Sequence, residues 1–291
     1  MNDQMKGSYL IGNCCFHVEG QALQAAVAAL DGFEVFDAGM GREPLFCIDY
    51  QSSRACEPTY ELYHCPTECA ELTFGTWRRG YVLKQTRRNG STLSLWQSVG
   101  EPCLRLQGNL NPSLLRFALW TAYGLVAVEH GRIALHGSCI CKDGRAFLFL
   151  GESGTGKSTH TRLWRENIAG AILLNDDSPI VAAGEDGVYV YGSPWSGKTP
   201  CYRQERYPLG GIVRLSQAPY NRMERLNTLQ AYAAVHPSCP PMFAYDTRLY
   251  DGVCRLLNRL ISHVPFFHLA CLPDGEAAWL AYRTLLGGTN L

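Results

Sequence analysis

The eight residues Gly151-Glu152-Ser153-Gly154-Thr155-Gly156-Lys157-Ser158 constrain this 291-residue chain more than any other stretch. At average residue usage, glycine, four free positions, glycine, lysine and serine or threonine arise by chance in a chain this long about once in a hundred. The match follows an apolar run, residues 146–150, that reads as a strand, and it opens a helix expected to run to about Asn167. A strand, a glycine-rich turn and a helix in that order aim consecutive backbone amides and a helix N-terminus at one anion. This P-loop pattern makes Gly151, Ser153, Gly154, Thr155, Gly156, Lys157, Ser158 and Thr159 candidate nucleotide contacts. Lys157 is placed to reach the β and γ phosphates, and the Ser158 hydroxyl to hold magnesium.

Lysine plus arginine equals aspartate plus glutamate at 26 each, so no overall field draws in nucleic acid or an anionic membrane. The chain starts without a charged segment leading into an apolar core, which argues against a secretory signal and for the cytoplasm. The longest nearly uncharged stretch, residues 117–128, is too short to cross about 30 Å of hydrocarbon and reads as a buried helix. Thirteen cysteines, an odd count, fit reduced thiols better than a disulfide frame. Cys56, Cys65 and Cys69 form a loose cluster, but Cys65 and Cys69 lack the matching second pair of a zinc site.

The first hundred or so residues alternate short apolar runs with turn formers, at 9–16, 45–50, 71–77, 81–86, 92–96 and 103–107. Arg88-Asn89-Gly90 reads as a hairpin turn. The turn cluster at 108–113 opens a helix over 113–129, and a domain boundary is placed here, giving a β-rich domain over 1–110 and a second domain over 111–291. Beyond it, strands are expected at 133–135, 138–141, 146–150 and 171–174, a hairpin at 180–182 and 188–191, and strands at 211–215 and 266–270. Helices are expected over 228–235, 247–262 and 275–286.

The strand at 171–174 ends in Asn175-Asp176-Asp177. A metal-bound triphosphate needs a carboxylate from a neighbouring strand, and adjacent acids repel unless they face solvent, a metal or a donor. Either acid can alternatively serve as a turn cap. Taken together, Leu135-His136-Gly137-Ser138, residues 147–159 and Asn175-Asp176-Asp177 resemble the catalytic domain of bacterial HPr kinase/phosphorylase and its phosphoenolpyruvate-carboxykinase-like relatives. The segment Ser193-Pro194-Trp195-Ser196-Gly197-Lys198 is similar to one in HPr-kinase-related proteins of peptide-modification clusters. The likeness covers residues 111–286.

The resemblance implies an α/β (α+β) P-loop kinase core beside the N-terminal β-rich domain, using ATP and Mg2+ to phosphorylate a serine or threonine of a peptide or small protein. It implies Asp176 as base, Asp177 as a metal ligand beside Ser158, and His136 near the transferring group. Taken alone, a histidine in a short strand is more often structural. HPr kinases assemble into hexamers, so a homo-oligomer is a further expectation. The arginine-glycine-leucine-glycine signature of HPr kinase itself is absent, which argues against HPr as the acceptor. Residues 192–208 stand in its place, expected as a turn-rich loop over the phosphates, where Lys198 is a catalytic candidate and Arg203 and Arg206 are further cations. A solvated basic loop is the alternative. A small-molecule alcohol as acceptor, a nucleotide-binding regulator or assembly factor with little turnover, and a carboxykinase reaction complete the alternatives; the last lacks an identifiable second metal site.

Overall fold

The computed structural model describes residues 7–39, 41–51, 56–197 and 199–287. Among these it is a mixed α/β structure with two sheets and six α-helices. The chain forms two compact units, Met1–His130 with Met242–Tyr250, and Gly131–Pro241 with Asp251–Leu291. No helix of the described residues is long and apolar enough to cross a membrane.

The first unit carries β1 (Gly7–Ile11), β2 (Cys14–Glu19), α1 (Gln21–Ala28), β3 (Phe46–Tyr50), β4 (Tyr60–Pro66), β5 (Glu71–Trp77), β6 (Gly80–Thr86), β7 (Thr92–Ser98), β8 (Cys103–Gly108) and α2 (Pro112–Ala127). Its sheet runs β1-β2-β3-β8-β7-β6-β5-β4. The apolar run at 9–16, expected as one strand, is a hairpin, because Gly12 and Asn13 both take positive φ and turn the chain. Asn111 caps α2 by accepting from the Ser113 amide, with Pro112 in the first turn. This helix packs on β6 and β7, so contacts divide the chain after His130 rather than at residue 110.

The second unit carries β9 (Arg132–Ala134), β10 (Gly137–Lys142), β11 (Arg145–Leu150), α3 (Lys157–Asn167), β12 (Ile172–Asp177), β13 (Ile180–Gly184), β14 (Gly187–Tyr191), β15 (Arg206–Gln217), β16 (Arg222–Arg225), α4 (Thr228–Val235), α5 (Thr247–His263), β17 (Phe266–Cys271) and α6 (Gly275–Leu286). Helix α5 begins in the first unit and belongs to the second from Asp251. The sheet runs β12-β10-β11-β15-β14-β13-β9, with β17 beside β15 and β16 beside β17. β11, β15 and β17 are parallel, and β12 joins that direction across the antiparallel β10. Their C-terminal ends therefore share one edge, the edge at which open α/β sheets bind ligands.

One row of cross-strand partners passes along this edge, from Asp177 through Gly137, Leu150 and Arg214 to His268. The glycine-rich loop leaves the middle of that row, directly after Leu150. Helices α3 and α6 pack against each other, and Phe147, Phe149, Trp164, Val213 and Leu269 are buried in one core with Ala278 and Ala281. The Trp164 ring meets Phe149 edge-on at 5.7 Å and Tyr282 at 5.9 Å. Trp164→Ala is expected to destabilise this unit by about 3–5 kcal/mol through lost burial and an unfilled cavity, read as a lower midpoint in urea denaturation.

Candidate functional site

Gly154 and Gly156 take φ of 81° and 108°, conformations that exact strain from any residue with a Cβ. Gly151 is held by space instead, since a Cβ there would lie 3.1 Å from the Thr155 side chain. Helix α3 then starts from Gly156 with no side chain capping it and no acid in its first turn. Its leading amides are left to solvent or to a ligand, at the positive end of the helix dipole.

Lys157 is buried, and its ammonium donates to the carbonyls of Gly151 at 2.9 Å and Glu152 at 3.1 Å. Burial pushes its pKa down from the ordinary lysine value, while Asp177 and Asp176 pull it up and Arg214 pushes it down further. The Ser158 hydroxyl donates to Asp176 Oδ1 at 3.0 Å. The register explains this meeting. Asp176 pairs with Ser138 on β10, and the Ser138 hydroxyl lies 3.0 Å from that of Thr161 on α3. His136 immediately precedes the Gly137–Asp177 pair, and its Nδ1 lies 3.3 Å from Asp177 Oδ1, with both side chains nearly half exposed.

Lys157, Ser158, Asp176, Asp177 and His136 thus form one cluster around the glycine-rich loop. The position of Lys198 lies outside the described residues. Its neighbour Gly197 donates its amide to the Asp176 carbonyl at 2.6 Å, and Ser196 bridges to Asp177. The rest of this segment is more anchored than a free loop. Asn175, fully buried, donates to the carbonyls of Ser193 and Trp195, and its own oxygen accepts from the Ser178 amide. Trp195 is buried, and residues 206–208 open β15.

Asp177 carries a φ of 130°, rare for a residue with a side chain. Such a conformation costs on the order of 1–3 kcal/mol and persists where surroundings enforce it. Here the enforcing contacts are Ser196 and Gly197, where an added Cβ would lie 3.1 Å from that of Asp177. Asp177→Gly should raise the unfolding free energy by about 1 kcal/mol, read from chemical denaturation.

Arg214 escaped the sequence reading, although a charged residue inside the apolar run 211–215 was its signal. It pairs with Leu150 in the ladder, donates to the Ala234 carbonyl at 3.3 Å and lies 3.7 Å from Glu152. Together with Ser153, Ser216, Gln217 and His268 it borders a hollow of about 460 Å³ beside the loop. Ser216 and His268 are hydrogen-bonded at 2.8 Å.

The oxygen donors of Ser158, Asp176 and Asp177 suit a hard cation such as magnesium, which binds through one or two carboxylates together with substrate phosphates. Among the described residues no group of three or more His, Cys, Asp or Glu is placed to hold a metal alone.

His160, one turn into α3, is buried against the Phe149 ring, and burial lowers its pKa to about 4. The unfolded chain takes up this proton below about 6.5, so the neutral ring's contribution is complete above that pH and is lost as pH falls toward 4. At pH 5 the loss is about 2 kcal/mol relative to pH 7. Denaturation midpoints at pH 7 and pH 5 should accordingly differ more in the wild type than in His160→Gln. Comparison with family models gives no match to this chain, and comparison with curated proteins gives none either.

Proposed function

We propose that the second unit binds a nucleoside triphosphate with magnesium at the glycine-rich loop and transfers the terminal phosphoryl group to a hydroxyl, as a P-loop kinase core. One observation carries this reading: Lys157, Ser158, Asp176, Asp177 and His136 converge on a helix N-terminus that no side chain caps. The loop amides and Lys157 would hold the phosphates, with Lys157 exchanging its two carbonyl partners for phosphate oxygens. Magnesium, when bound, supplies charge neutralisation on the phosphate oxygens.

The resemblance to HPr kinases gives Asp176 the role of base and Asp177 that of metal ligand. The Ser158–Asp176 hydrogen bond supports the opposite division, with Asp176 beside the hydroxyl that would share its metal. Asp177, more exposed and next to His136, then takes the proton from the incoming hydroxyl, and the imidazole orients the carboxylate. Arg214, beside Leu150 in the ladder, is a cation available to the transferring group, and the sequence offers Lys198 as a further candidate. The acceptor class, a serine or threonine of a peptide or small protein, rests on the resemblance.

The test is incubation with radiolabelled ATP, magnesium and candidate acceptors, including HPr and peptides encoded by neighbouring genes. Lys157→Ala should lower transfer by about a hundredfold or more. Asp177→Asn should lower turnover about a hundredfold with ATP affinity retained, whereas Asp176→Asn should raise the magnesium requirement. The reverse pattern restores the division that the resemblance implies, and full activity in both variants removes the acid pair from the mechanism. ATP binding with no transfer to any hydroxyl leaves a nucleotide-binding regulator.

A further inference from the structure

At the opposite edge of the same sheet from the glycine-rich loop lies a cavity of about 1000 Å³, at the upper end of the range of small-molecule sites. It opens near the starts of β11, β15 and β17, where Arg145, Leu209 and Phe267 stand in its wall. Arg145 and Leu150 are the two ends of β11, so about 17 Å separates this wall from the residue after which the loop leaves. The last turns of α5 and α6 close the cavity through Ile261, Val264 and Leu285. Leu209, Val264, Phe267 and Leu285 are buried, and Met223, also in the wall, packs against the core that holds Phe267 and Leu285. The floor is firm at Gly210, where an added Cβ would lie 2.8 Å from the Phe147 ring.

Three exposed arginines, Arg145, Arg225 and Arg283, line this cavity, and no aspartate or glutamate is among the described residues that do. Elsewhere in this unit Arg162, Arg203 and Arg222 each meet a glutamate. Arg283 Nε donates to the Trp279 carbonyl at 3.3 Å, but among the described residues no carboxylate pairs with any of the three arginines. The other polar groups of the lining are committed to their own helices. Ser262 and Thr284 each donate to a carbonyl one turn back at 2.8 Å, and His263 Nδ1 lies 2.7 Å from the Arg259 carbonyl. A helix C-terminus carries about half a negative charge, so α5 and α6 together offset only about one of the three positive charges. The cavity is therefore apolar in its depth and net positive at its rim.

We propose that this cavity binds an amphipathic organic anion, its carboxylate or phosphate head held by the arginines and its hydrocarbon or aromatic body against Met223, Phe267 and Leu285. A guanidinium fork takes two oxygens of a carboxylate or phosphate at once, which suits either head. A bare inorganic anion would leave the apolar walls wet, and a neutral hydrocarbon would gain nothing from the three charges. The site is separate from the glycine-rich loop and does not depend on how that loop is read.

Titration calorimetry of the full chain with octanoate, octyl phosphate, octanol, acetate and inorganic phosphate tests this. Octanoate or octyl phosphate should bind at least about tenfold more tightly than octanol, and than the same head without its chain. The tighter of the two identifies the head. Arg145→Gln, Arg225→Gln and Arg283→Gln combined should bring that amphiphile down to the octanol level, while Lys157→Ala leaves its affinity unchanged. Ile261→Trp, at a partly exposed position, fills the cavity and should weaken the same amphiphile about tenfold. Amphiphiles that bind no better than octanol or their bare heads overturn the site, as does wild-type affinity in the triple arginine variant or in Ile261→Trp. Loss of binding in Lys157→Ala would move the ligand to the loop and overturn it too. A tetraglutamate peptide that binds more tightly than either amphiphile would make the arginines a docking surface for an acidic chain, and the proposal would fall.

Discussion

The ladder that flanks β11 on both sides is the constraint on which the rest of the site depends. Pairing with antiparallel β10 sets Leu150 against Gly137, and pairing with parallel β15 sets it against Arg214. Because the side-chain period of a strand is two, a slip of one residue in either ladder would send every side chain on the slipped strand to the other face. The aromatic pair Phe147 and Phe149, buried under Trp164, opposes such a slip. Register is therefore fixed by the same packing that buries the strand, and the positions of Asp176, Asp177 and Arg214 follow from it.

A second layer of constraint comes from the polar interior. Asn175 has no exposed surface, and its amide group is satisfied by backbone groups of Ser178, Ser193 and Trp195. Ser193, equally buried, donates to the Ser178 carbonyl at 2.7 Å. A satisfied buried network of this kind specifies one arrangement, since breaking any member leaves a polar group without water or partner. It holds the turn that strains Asp177. The strain is thereby held by the buried network on either side of the acid and by Ser196 and Gly197 against it, as expected where a residue's position matters more than its comfort.

Much of this arrangement could be read from residue order. The glycine-rich loop, the acids ending a strand, and His136 ahead of Gly137 were all visible, because short-range spacing dictates each of them. So were the hairpin at Asn89-Gly90 and the long helices, whose apolar positions repeat with helical period. What escaped depends on an element's place in the sheet and on its pairing partners. β4 lies at an edge with mostly exposed residues and therefore lacks the alternation of a half-buried strand. The 12-residue β15 begins before Pro208 and Gly210, which look like turn formers, because pairing with β14 extends it. Arg214 gains meaning only once Leu150 is known to lie beside it. His160 finds its partner only when Trp164, one turn later, donates to its Nε2.

The central claim, that a nucleotide's phosphates lie on the backbone amides at the start of α3, is tested most directly by hydrogen–deuterium exchange of the full chain with and without MgATP. Amides free of intrachain partners exchange quickly, and a bound phosphate chain that accepts from them slows that exchange. The account predicts slowed exchange concentrated in residues 153–159. Saturating MgATP that leaves those amides unchanged and protects a different part of the chain would contradict it.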